Sequence, residues 1–130
     1  MKNITMVFVA CLSIYSCHKS DAVDKNPPVL TLNTPVSNAT YTNGQVVSIT
    51  GTITDESLHE LLISITKDAD GSTLFTPSNP PEVHDLTSYN INEKWTPTGF
   101  TTATSVTLKV SAEDHSSNIT IKTIKFTLQP

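Results

Sequence analysis

The chain has 130 residues, two cysteines, and twelve acidic against eight basic side chains, for a formal charge of −4. That is one domain's worth of length, with a composition that is neither disordered nor membrane-like. Every basic residue is a lysine and the lysines do not cluster, so the guanidinium forks and basic patch used on phosphates and bases are missing. No nucleic-acid partner is expected.

The chain opens on one positive charge, Lys2, followed by a mostly apolar run from Ile4 to Ile14. At about 1.5 Å per residue that run is too short to span a ~30 Å hydrocarbon core, so it reads as a secretory signal rather than an anchoring helix. It ends in Ile14-Tyr15-Ser16-Cys17, which resembles the lipobox of bacterial lipoproteins. The resemblance implies cleavage after residue 16 and acylation of Cys17, with two or three acyl chains giving stable membrane anchoring. Residues 1–16 are thus expected to be a signal peptide. Residues 17–26 are expected to be a lipidated cysteine and flexible polar tether, and residues 27–130 the folded domain. His18 follows the cysteine where the best-known sorting rule has an inner-membrane-retaining Asp. The expectation is therefore the outer membrane, with the leaflet open. Loss of Lys2 with the signal takes the charge from −4 to −5. With Cys11 and Cys17 both in the first seventeen residues, the domain has no disulfide and no thiolate metal site.

Pro27-Pro28 ends the tether and favours an extended start. Val29 to Asn33 alternates as a first strand with Leu30 and Leu32 on one face, and Pro35 to Gly44 reads as a turn region closed by Asn43-Gly44. Gln45 to Thr54 is the clearest strand, with Val47, Ile49, Gly51 and Ile53 sharing one side. Asp55 to His59 reads as a loop. The next strand, Glu60 to Lys67, carries Leu61, Ile63 and Ile65 inward. Asp68 to Ser72 turns the chain, Thr73 to Thr76 is a short edge piece, and Pro77 to Asp85, with three prolines, is loop. Leu86 to Trp95 alternates through Tyr89 and Ile91, and Thr104 to Ala112 places Val106, Leu108, Val110 and Ala112 on one face. In the last strand, Ile119 to Leu128, the apolar positions change phase between Ile121 and Ile124, which predicts a bulge there. No segment carries a sustained helical period. The pattern predicts an all-β, antiparallel two-sheet sandwich of about seven strands.

The runs PPVLTLNTP, VVSITGTITDESLHELLISI and VTLKVSAEDHSSNITIKTIKFTL resemble bacterial Ig-like domains, in which strand B ends in an Asp, strand F in A-x-D, and an Asn opens strand G. The resemblance covers nearly all of residues 24 to 130 and is greatest to the small Ig-like lipoproteins of Bacteroidetes. It speaks to fold and not to function. The disulfide and strand-C Trp of antibody domains are absent.

Little in the sequence points to catalysis. The chain lacks H-E-x-x-H, G-x-S-x-G and a Gly-rich phosphate loop, and His84-Asp85 with Ser88 makes only a fragment of a triad with no oxyanion hole, so no enzyme is expected. Asp68-Ala69-Asp70-Gly71 opens like a calcium loop but runs into Thr73-Leu74-Phe75, so an Asp-Gly turn is expected. A calcium site is the one metal expectation. The predicted topology delivers Asp24, Asp55, Glu56 and Asp114 to the tether end of the sandwich, with Glu113, His59 and His115 alongside. Residues 21–27 (DAVDKNP) also resemble the calcium-binding linker of cadherins, with Lys25 in place of an acidic partner. Against a metal stands the routine capping of loops by Asp and Asn side chains. The leading functional expectation is a non-catalytic, lipid-anchored module for adhesion or assembly with another envelope component. The alternative is a glycan-binding accessory lipoprotein of a polysaccharide-uptake system, with Tyr41, Phe75 and Phe100 near loops as stacking candidates.

Overall fold

A computed structural model describes residues 23–130; the signal segment, Cys17 and His18 lie outside the described residues. Among the described residues there are eight strands and no helix. They are β1 (Val29–Thr34), β2 (Thr40–Thr42), β3 (Val47–Thr54), β4 (Leu58–Lys67), β5 (Thr73–Phe75), β6 (Ser88–Trp95), β7 (Thr104–Asp114) and β8 (Ile119–Gln129). They form a three-stranded sheet, β1-β3-β6, and a five-stranded sheet, β2-β8-β7-β4-β5. The long strands β3 and β7 are rich in Thr and in Val or Ile and alternate between the space enclosed by the sheets and solvent. The result is the all-β, two-sheet sandwich that the alternation predicts.

The core is filled from both sheets. Leu30, Val47, Ile49, Ile53 and Ile91 come from the three-stranded sheet, while Leu61, Ile63, Ile65, Val106, Leu108, Val110 and Phe126 come from the five-stranded one. Leu32 and Ile124, expected fully inside, are half-buried and pack against this cluster. Leu108 is wholly buried in central β7, whereas Thr107 faces outward and donates its hydroxyl to Asp68 Oδ1 at 2.6 Å. Leu108→Ala should therefore cost roughly 2–5 kcal/mol. Thr107→Ala should cost about 1 kcal/mol or less. Equal losses in denaturant titrations would mean that the strand phase is wrong.

Five details depart from the sequence reading. The turn region 35–44 contains β2, which pairs parallel with β8 through Thr40–Thr127 and Thr42–Gln129, so one pairing is not antiparallel. The 55–59 loop ends earlier than expected, since β4 begins at the buried Leu58 and carries a register shift between Leu58 and Glu60. The proline-rich loop 77–85 buries Val83. The sixth strand starts at Ser88 rather than Leu86, because residues 85 and 86 bond instead to Leu58. The predicted bulge between Ile121 and Ile124 is absent, for β7 and β8 stay in unbroken register from Ile119 to Leu128. The phase change has a simpler cause. Ile119 and Ile121 lie on the outer face and are more than half exposed, while Ile124, Phe126 and Leu128 lie on the inner one.

Candidate functional site

The chain enters the sandwich at one pole and is fixed there. Thr120 donates its hydroxyl to the Pro28 carbonyl at 2.6 Å, and Asn118 Nδ2 donates to the Asp24 carbonyl at 3.1 Å. At the same pole β3 ends, β4 begins, and β7 turns into β8, so the loops after Thr54 and after Asp114 converge on the incoming segment. Asp24, Asp55 and Asp114 each bring one carboxylate oxygen to within 4.8 Å of the others. Glu56 does not join this group. It is exposed and lines the shallow groove beside Asp24 and Asp55. Three of the four residues expected to meet do so, while Glu56 lines the same groove without placing an oxygen among theirs. Glu113 lies on the strand face opposite Asp114, pairing across the sheet with Ile119.

The three carboxylates are engaged with their own loops. Asp114 Oδ1 accepts the amides of Ser116 and Asn118, both at 2.8 Å, and Oδ2 accepts Asn118 Nδ2 at 2.7 Å. Asp55 Oδ1 accepts the Ser57 amide at 2.9 Å. Asp24 Oδ1 accepts the backbone and side-chain amides of Asn26. These are loop-capping bonds, made where the backbone has no ladder partner. Asp114 is the one buried charged residue among those described. Burial pushes its carboxyl up, but the Asn118 side chain, the amides of Asn118 and Ser116 and the neighbouring His115 outweigh this and hold it below the ordinary 3.8.

The turn at Asp68 to Ser72 is a hairpin turn. Lys67 and Ser72 close it by a backbone bond, Gly71 takes φ +71°, and Asp70 Oδ1 accepts both the amide and the hydroxyl of Ser72. Asp68 is turned to the sheet, where it accepts the hydroxyls of Ser105 and Thr107 and meets Lys125 Nζ at 3.3 Å. Asp85 lies between His84 and His115, 3.6 Å from His84 Nε2 and 2.9 Å from His115 Nε2. The three loop aromatics turn inward. Tyr41 meets Phe126 edge-on with centroids 5.5 Å apart, Phe75 stacks on Trp95 at 5.9 Å, and Phe100 packs against the core.

What the sequence did not reveal is a gathering of imidazoles at the same pole, where His59, His84 and His115 meet. His59 and His115 could be placed there from strand order. His84 could not, because its position depends on how the loop 76–87 folds back.

No family model and no curated protein matches the chain. Among solved structures, it is similar to an engineered protein with a TM-score of 0.55 at 12% identity, over 79% of this chain and 20% of that one. Fibronectin(III)-like modules of CbhA from Clostridium thermocellum superimpose with a TM-score of 0.48 at 17% identity, over 79% of this chain and 47% of the other. The chain thus spans a fifth of the first and less than half of the second. The similarity to the engineered protein concerns fold alone, and the fold of this chain is a two-sheet, all-β sandwich.

Proposed function

We propose that this chain is a non-catalytic Ig-like module held at the bacterial outer membrane by lipid on Cys17, where it serves adhesion or assembly with another envelope component. The observation that carries this reading is the fixed entry of the chain at one pole. Asn118 and Thr120 bond to the carbonyls of Asp24 and Pro28, so a tether leaving residue 23 holds the sandwich by that end. The opposite pole, with the turns at Asn43-Gly44 and Asp68 to Ser72, then points away from the anchor. A closed sandwich displayed in this way offers loops and sheet faces to a partner rather than a reaction cleft. The glycan reading draws no support from Tyr41, Phe75 and Phe100, whose rings pack against the core.

Metabolic labelling with a clickable fatty acid should tag the wild type and not Cys17→Ala, and the tagged protein should fractionate with the outer membrane. Equal labelling of both proteins overturns the anchor. In the envelope, cross-linking should recover a protein neighbour. Retention on polysaccharide without such a neighbour would move the assignment to the glycan reading.

A further inference from the structure

We propose that His59, His84 and His115 form a surface site for one zinc ion, with Asp85 as the carboxylate that positions the rings. Three of the four histidines of the chain come together here from separate segments: the start of β4, the loop before β6, and the turn between β7 and β8. Their ring centroids lie 5.3 Å apart for His59 and His84, 4.9 Å for His59 and His115, and 4.6 Å for His84 and His115. One nitrogen from each ring lies within 4.8 Å of the other two. A tetrahedral zinc with bonds of about 2.0–2.1 Å separates its nitrogen ligands by about 3.4 Å. The gap is about 1.4 Å at most, which exposed imidazoles close by side-chain rotation without moving the backbone.

The backbone is already set for this. The Leu58 amide donates to the Leu86 carbonyl at 2.9 Å, Asp85 donates back to the Leu58 carbonyl at 2.9 Å, and the His115 amide donates to the Ser57 carbonyl at 3.2 Å. Each histidine therefore sits on or beside a residue tied to the other segments, so little order remains to be imposed when a metal binds. Asp85 adopts a left-handed φ of +63°, which a non-glycine residue adopts infrequently. Its Oδ1 lies 2.9 Å from His115 Nε2 and its Oδ2 3.6 Å from His84 Nε2. A carboxylate hydrogen-bonded to a ring nitrogen is the usual partner of a metal-binding imidazole, because it fixes the tautomer and the ring plane.

The donor set selects the ion. Three neutral imidazoles suit zinc and its borderline neighbours, whereas calcium prefers oxygen donors. Three protein ligands leave the fourth position to water. His115 also lines the groove formed by Asp24, Asp55 and Asp114, whose negative charge draws cations to this pole.

The test uses the full chain in detergent, stripped of metal, titrated with zinc against a chromogenic chelator and with cobalt(II) for its absorption spectrum. One equivalent of zinc should bind, with cobalt bands showing nitrogen coordination. His59→Ala and His84→Gln should each weaken binding at least 100-fold, Asp85→Asn by about 10- to 100-fold. His18→Ala should bind as the wild type does, and millimolar calcium should not displace zinc. The rings are exposed, so the metal-free variants should keep the wild-type unfolding midpoint. Rings gathered by packing alone predict no stoichiometric binding. That result, or full affinity in His59→Ala, overturns the proposal.

Discussion

Gly51→Ala should destabilise the sandwich by roughly 2–4 kcal/mol, and Gly51→Val by more, although alanine adds a single methyl group. Gly51 sits in the middle of β3, buried between β1 and β6 and paired with Leu32 on one side and Ile91 on the other. A Cβ at this position would run into the carbonyl oxygen of Thr31 and lie 3.2 Å from Leu32 Cα and 3.1 Å from Leu32 Cδ2. Two of those three atoms are backbone, so no side-chain rotation relieves the clash and β1 itself has to move. β1 already carries a bulge there, its register with β3 stepping from Leu32–Gly51 to Thr34–Thr50, and the Thr34 and Thr50 hydroxyls bond at 2.7 Å beside it. Displacing β1 would also loosen Leu30, which it holds in the core. Gly44→Ala makes the comparison, since a Cβ there meets nothing within 4 Å and the cost is that of φ +81° alone, about 1 kcal/mol. Equal midpoint shifts for Gly51→Ala and Gly44→Ala in denaturant would show that β1 does not pass over Gly51 as described.

Gly51 also shows what the sequence makes legible. A glycine inside a strand of otherwise apolar inward positions marks a close backbone approach, but the partner that approaches is set by the sheet order. The same division runs through the molecule. The period-two runs of β3, β4 and β7 fix which residues face inward, because one face of each is buried and a slip of one residue would expose it. Short elements and loops have no such period. β2 is three residues long and owes its place to pairing with β8, while Val83 is buried because the loop 76–87 crosses the core edge. The acidic pole was legible because strand order alone brings the ends of β3 and β7 to the incoming segment. Strand order also brings Glu56 to the same groove but does not decide where its carboxylate oxygens lie. The imidazole cluster was half legible for the same reason: His84 depends on two backbone bonds between residues 85–86 and Leu58.

Asp114→Ala should cost roughly 2–3 kcal/mol at neutral pH, more than an exposed carboxylate normally costs. Its side chain accepts two backbone amides and the Asn118 side-chain amide, and that same Asn118 amide holds the Asp24 carbonyl. Alanine leaves those part-buried donors without their acceptor and frees Asn118, so the incoming segment loosens with the turn. Asp55→Ala removes one such bond and should cost about 1 kcal/mol. The charge state gives the loss a pH signature. The folded-state pKa lies below the ordinary 3.8, so the unfolded chain takes up the proton first as pH falls. The stabilisation is therefore fully present above about pH 4–5 and drains away as pH drops through 3.8 toward the lower folded value. The stability gap between wild type and Asp114→Ala should narrow over that acid range. A gap of unchanged size at pH 3 would mean that the carboxylate is not held by these donors. Millimolar calcium decides whether the three carboxylates do more than cap. A wild-type midpoint that rises with calcium, and an Asp55→Ala or Asp114→Ala midpoint that does not, would make them oxygen ligands. A midpoint indifferent to calcium and to chelator leaves Asp24, Asp55 and Asp114 as the caps that fasten the entering chain to the sandwich.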